Sequence, residues 1–244
     1  MPDNSEIRSG FSTTRIRIVA PPPSRTYTAR LALDPQTRRE AYRLRYESYL
    51  ASNHIEPNAS GLFEDRYDSL PNSRTVVLYD DDIPMASVRT CLISSGSTQR
   101  SPALDTFPDE IKTLLSQQPG AGYGARGIET TRLVRSPVAE NNQSLVFLLY
   151  RLAGYIGMMA HTQMLFACVR RNHAPFYTRL GYSSVTQPRP YPGLSCPMQL
   201  MACTRKRYDE VRSAFPLIDP FAGNTRGLDG FLAGEPASLS LVRT

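Results

Sequence analysis

Tryptophan is absent from the 244-residue chain, and lysine occurs only at positions 112 and 206, so all but two of the 28 basic residues are arginine. Arginine is the cation of planar, two-pronged contacts with carboxylates and phosphates. The four cysteines, at 91, 168, 196 and 203, show no CxxC spacing, and His54, His161 and His173 show no ligand spacing. That pattern excludes a motif-type zinc site and a disulfide framework, so the thiols are expected to be reduced and no metal is expected. No long basic run accompanies the formal charge of +6, which speaks against nucleic acid as the partner and leaves an acidic protein as the better one. Residues 1–10 are polar with acidic members and lack an apolar segment, which argues against a signal peptide and for the cytoplasm.

What is present is ordinary globular material, 41% hydrophobic and 20% charged, enough for one sizeable core with appendages. Residues 1–14 read as disordered, 15–19 as a short strand stopped by three prolines, and 26–33 as a second strand. Asp34 followed by Pro35 supplies a cap and a first-turn proline for a helix to about residue 52. On that helix Ala41, Leu44, Arg45, Ser48 and Tyr49 share a face, so Arg45 points inward and needs an acceptor. Residues 53–72 form a polar loop carrying Glu64, Asp65, Arg66, Tyr67 and Asp68. Strands are expected at 74–79 and 83–93, joined through three aspartates, then a short helix at 105–115 and a glycine-rich loop at 117–127.

Residues 128–134 read as a strand and 141–162 as a long apolar helix. Arg151, Gly154 and Gly157 interrupt the latter, which fits burial against a sheet and not a membrane span. A strand at 164–169 then closes a β-α-β crossover, so the two strands run parallel. A helix at 173–180 is ended by Gly181, strands follow at 182–186 and 198–204 around a proline-rich loop, then a helix at 205–215 and a loop-like remainder.

The order of elements from 128 to 204, with Asn172-His-Ala-Pro-Phe-Tyr-Thr-Arg-Leu-Gly-Tyr between the later strands, resembles the C-terminal half of the GNAT acyltransferase fold. By periodicity alone Phe176 and Tyr177 read first as core aromatics before a helix-ending glycine, and the order of the surrounding elements reverses that reading. Four further segments resemble the autoinducer (acyl-homoserine-lactone) synthases and the related N-acyl amino acid synthases. Arg45 and Tyr49 match their first-helix pair, Asp65 and Asp68 in "EDRYDS" their acidic loop, Arg89 their strand arginine, and Glu129 with Arg132 in "IETTRLV" their Glu-x-x-Arg strand. The resemblance covers about residues 40–185. Phe63 stands where autoinducer synthases carry an acid, and tryptophan is missing, which places the chain nearer the N-acyl amino acid synthases.

The resemblance implies an α/β (α+β) fold, a GNAT-like mixed central sheet flanked by helices, with a splayed parallel strand pair. It implies an acyltransferase domain at 26–215 between an extension at 1–25 and a tail at 216–244. It further implies transfer of a long-chain acyl group from acyl carrier protein to the α-amine of an amino acid, with no permanently bound cofactor. The alternatives are a lactone synthase using S-adenosylmethionine, a coenzyme A dependent acetyltransferase, and a non-enzymatic binder of an acyl chain or carrier. GNAT acetyltransferases cradle the coenzyme A pyrophosphate on a glycine-rich loop after this strand. Here residues 135–142 contain no glycine and Pro137 removes a donor, so the acyl-phosphopantetheine of a carrier is the expected donor and coenzyme A the less expected one.

For the chemistry, Glu129 is the expected base, through water, and Tyr177 a proton donor to the leaving thiolate. Arg45, Arg89 and Arg132 are expected to bind the acceptor's carboxylate or to hold Asp65 and Asp68, which in turn can receive its ammonium. Tyr49 completes the set of substrate-binding candidates. A plain strand sends Glu129 and Arg132 to opposite faces, so the scheme requires a bulge between them.

Overall fold

The computed structural model describes residues 25–96, 98–119, 124–222 and 225–240; the strand at 15–19 and the disorder expected before it lie outside the described residues. Strand β1 (Thr26–Leu31) leads into helix α1 (Pro35–Ala51). Asp34 caps α1 by accepting hydrogen bonds from the Thr37 backbone N–H at 2.9 Å and its hydroxyl at 2.7 Å, worth about 1 kcal/mol. Ala41, Leu44 and Arg45 are buried along one side of the helix, as the spacing requires.

Strands β2 (Ser73–Asp80) and β3 (Ile83–Ser94) form the hairpin, turning at Asp81 with φ 53°. The single helix expected at 105–115 is two pieces, α2 (Pro102–Thr106) and α3 (Pro108–Ser116). Pro108 has no N–H to continue a helix and pushes Phe107 out of helical geometry, to φ −132° and ψ 52°. Strand β4 (Arg126–Arg135), helix α4 (Gln143–Met159) and strand β5 (Met164–Val169) make the crossover. Helix α5 (Ala174–Arg179) ends before Gly181, whose φ of 89° is the left-handed turn that a side chain would strain.

Strands β6 (Ser183–Ser184), β7 (Arg189–Tyr191) and β8 (Leu194–Thr204) follow, then α6 (Arg205–Ala214), α7 (Leu228–Phe231) and β9 (Ala237–Ser240). The stretch read as loop-like thus contributes α7 and β9 to the fold. Strand β9 pairs antiparallel with β1 and closes one side of a nine-stranded sheet in the order β6-β8-β5-β4-β3-β2-β1-β9, with β7 on β8.

Alternation along the strands sorts two faces. Val76, Leu78, Ile128, Leu165, Ala167 and Val169 pack under α4, while Phe166 and Met164 meet α2 and α3, and Val77 and Tyr79 meet α1. Among the described residues no helix is long and apolar enough to cross a membrane. Strands β4 and β5 are the parallel pair, and their ladder holds only from Gly127↔Met164 to Thr130↔Ala167. Beyond it β4 continues to Arg135 and β5 to Val169 without pairing each other, which opens a cleft in the sheet.

Candidate active site

Glu129, one residue before the ladder ends, is fully buried. Its Oε1 accepts a 2.7 Å hydrogen bond from the Tyr191 hydroxyl and its Oε2 a 3.0 Å bond from the Ala103 backbone N–H. The Tyr191 hydroxyl also lies 3.4 Å from Thr131 Oγ1. Burial pushes the Tyr191 phenol well above its ordinary value, and Cys168 and Glu129 add to that, so it stays a protonated donor.

The required bulge is present. Arg89 pairs with Thr131 and Ser87 with Val134, so Val88 alone faces two residues of β4, and Arg132 takes φ 52°. The extra residue turns Arg132 onto the face already occupied by Glu129 and Thr131. All three converge on the tip of the β7-β8 hairpin. Arg132 Nη2 donates to the Pro192 carbonyl at 2.9 Å and to Asp65 Oδ2 at 2.8 Å. A left-handed arginine costs on the order of 1–3 kcal/mol, which persists only where surrounding contacts impose it.

The other cations serve the acidic loop. Arg89 forks onto Asp65 at 2.6 and 3.1 Å and reaches Asp68 at 2.8 Å. Arg45 bonds Asp68 at 2.7 Å and the Thr75 hydroxyl at 3.0 Å. The Asp65 backbone N–H donates to Asp68 Oδ2 at 2.9 Å, and the Tyr67 N–H to Asp65 Oδ1 at 3.0 Å. Every oxygen of both carboxylates is therefore engaged by protein donors, and in this arrangement neither is open to an ammonium. Burial would raise the Asp65 carboxyl, but Arg89 and then Arg132 outweigh it and hold it at about 2. Burial lowers the Arg45 guanidinium, with Asp68 offsetting part of the effect.

Three buried guanidinium groups thus share two aspartates, which leaves Nε of Arg45 and of Arg89 without a partner among the described residues and extends to Arg132 as well. Its Nη1 is buried with no hydrogen-bond partner among the described residues. Aromatic rings enclose the group instead, with Phe63 at 5.0 Å, Tyr191 at 5.9 Å and Tyr49 at 6.0 Å from its carbon. Phe63 stands at the position that differs from the autoinducer synthase pattern. A ring there leaves unfilled a donor that a carboxylate would satisfy.

Tyr177 is placed apart from this cluster. Its ring lies 5.8 Å from those of Tyr150 and Phe176 and 5.5 Å from that of Tyr182, on the α4 side of the sheet. Burial raises its phenol to about 12. The sequence did not single out Tyr191, Thr131 or the Ala103 N–H. Of these only Tyr191 left a trace, as an aromatic between prolines at 190 and 192 in a segment taken as loop.

Among curated protein sequences none matches the chain. Of solved structures, FeeM, an N-acyl amino acid synthase from uncultured soil microbes, superposes with a TM-score of 0.61 at 17% identity over 79% of this chain and 96% of that one. The coenzyme A dependent acyl-homoserine lactone synthase BjaI follows at a TM-score of 0.52 and 13% identity, covering 75% and 82%. The synthase LasI also gives 0.52 and 13%, covering 74% and 90%. These likenesses establish the GNAT-like fold. The family model of the N-acyl amino acid synthase FeeM matches residues 40–204, the stretch that holds Arg45, Asp65, Asp68, Arg89, Glu129, Arg132 and Tyr191. The chain belongs to the FeeM family of N-acyl amino acid synthases and is an acyltransferase.

Proposed function

We propose that this enzyme moves a long-chain acyl group from the phosphopantetheine of an acyl carrier protein to the α-amine of an amino acid. The observation that carries the acceptor is Arg132 Nη1, buried without a partner among the described residues and on the same face as Glu129, a donor that a carboxylate admitted past the enclosing rings would satisfy. A carboxylate bound there becomes the third anion of a cluster with three arginines. An amine one carbon away then lies toward Glu129. In this reading Glu129 takes the amine's proton through water as nitrogen attacks the thioester carbonyl, and backbone N–H groups beside the cleft steady the oxyanion. Tyr191 orients Glu129, and Tyr177, on the α4 side of the sheet, is the proton donor assigned to the leaving thiolate. Asp65 and Asp68 hold the arginines and do not contact substrate.

The donor reading rests on the turn between β4 and α4. Backbone N–H groups of residues 136, 139, 140, 142, 143 and 145 donate to carbonyls at 2.8–3.4 Å, and that of Ser144 donates to Asn142 Oδ1 at 3.1 Å. Those donors are spent within the protein, so they do not cradle a pyrophosphate, whereas a carrier arm needs none. The cytoplasm, where acyl carriers are charged, is the matching compartment.

Purified enzyme is incubated with acyl carrier thioesters and a pool of amino acids, and products are read by mass spectrometry. N-acyl amino acids support the reading. Intact thioester with every amino acid, or a lactone formed only when S-adenosylmethionine is supplied, overturns it.

A further inference from the structure

At the C-terminal ends of the splayed strands a second group of cations gathers, and none of it belongs to the Arg132 cluster. Arg135 ends β4, Arg170 and His173 follow β5, and His54 follows α1. Arg170 Nη2 lies 2.9 Å from His173 Nε2. Burial holds the His173 imidazole below its ordinary value, and the charges of Arg170, His54 and Arg135 act on it in the same direction. His54 is lowered likewise, by burial and then by Arg170. Two atoms here, Arg135 Nη1 and His54 Nε2, are buried without a hydrogen-bond partner among the described residues. Glu140 is the carboxylate that acts on Arg135, and it only partly offsets the lowering by burial. Two guanidinium groups set beside two imidazoles, with one guanidinium nitrogen buried and unpartnered among the described residues, leave positive charge here that an arriving anion offsets.

We propose that Arg135, Arg170, His173 and His54 form a binding site for the phosphate of a pantetheine-linked donor. Side chains here replace the backbone cradle whose N–H groups are consumed in the turn at 136–145. The site stands where the cleft between β4 and β5 opens, so a phosphate held there feeds its arm inward toward Thr130 and Glu129. Guanidinium forks suit a phosphate's oxygens, and an imidazole N–H adds a neutral donor. The proposal rests on the reading that the donor is a pantetheine thioester.

The test measures binding directly, without turnover, by calorimetric titration of the enzyme with 4′-phosphopantetheine and with pantetheine. The native protein is expected to prefer the phosphorylated probe by roughly tenfold or more, the scale of one or two charge-assisted contacts. Arg135→Gln and Arg170→Gln, each checked for an unchanged melting temperature, are each expected to remove most of that preference. Equal affinity for the two probes in the native protein, a preference that survives both substitutions, or no detectable binding of 4′-phosphopantetheine at millimolar concentration overturns the site. Coenzyme A supplies the remaining arm. Binding tighter than 4′-phosphopantetheine assigns the phosphate to coenzyme A, and equal binding assigns it to a carrier-borne arm; both orders support the site. A phosphate preference in an enzyme that yields no acylated amino acid leaves the site standing and removes the functional reading instead.

Discussion

Glu129 owes its position to two donors from distant parts of the chain, and Tyr191 is the one a substitution can remove. In Tyr191→Phe the ring still packs beside Arg132, but Oε1 loses its donated bond. A base held by one donor instead of two loses its aim, so kcat is expected to fall about tenfold while KM for the amino acid changes by less than about twofold. A kcat equal to that of the native protein would show that Tyr191 only fills space. Asp65 gives a second residue-level expectation, in stability. Its folded value of about 2 lies below the unfolded 3.8, so its contribution is complete above pH 3.8 and is lost as pH falls through about 2. The difference corresponds to about 2 kcal/mol. Urea unfolding between pH 5 and pH 2.5 should show that loss, and Asp65→Asn, less stable at every pH, should flatten the slope in that window. An unaltered slope would mean that Asp65 is not the titrating group.

At the scale of elements, the segments legible in the sequence were those whose stability is local. The Asp34 cap, the period of α1, the Gly181 stop and the alternation of β2 to β5 are written in neighbouring residues. The bulge at Arg132 was legible for a chemical reason, because Glu129 and Arg132 can share a site in no plain strand. Strands β7 and β9 were not legible. Each has three or four residues, and partners fixed only by folding, β8 for one and β1 for the other. Tyr191 meets Glu129 across 62 positions for the same reason. The consequence for β9 is measurable. Arg151, buried in α4, donates to the Leu217 carbonyl and the Ser240 carbonyl, both at 2.8 Å, and Phe231 and Leu239 are fully buried. A chain ending at residue 215 strands that cation, removes both side chains from the core they fill and uncovers the β1 edge. The expected cost exceeds about 5 kcal/mol, from about 1.5–3 kcal/mol per buried side chain and about 3–5 kcal/mol for an unpaired buried charge. An unchanged denaturation midpoint in the truncated protein would make the segment a true appendage.

On the scale of the whole molecule, the arginines divide into those that are consumed inside and those that remain for a partner. Arg45, Arg89, Arg132 and Arg151 are buried, the first three on aspartates and the fourth on carbonyls, while Arg171 and Arg179 are exposed and Arg170 is half-buried where β5 ends. A net +6 with this division gives an outward positive field that an acidic carrier protein feels before contact. Long-range attraction of that kind is screened within about 10 Å at 0.1 M salt, whereas a small thioester reaches the cleft with little steering. Raising salt from roughly 0.05 M to 0.5 M is therefore expected to lower kcat/KM for an acyl carrier thioester by about tenfold, chiefly through slower association. The same change should alter the rate with an acyl-pantetheine thioester of equal chain length by less than about twofold, since that donor is neutral. Steady-state rates with the two donors, taken over the salt series with one amino acid acceptor, decide the matter. Equal salt dependence would place the basic surface outside donor recognition. A rate with carrier that holds steady across the series would leave the pantetheine arm alone, and not the carrier's own surface, as what the enzyme reads.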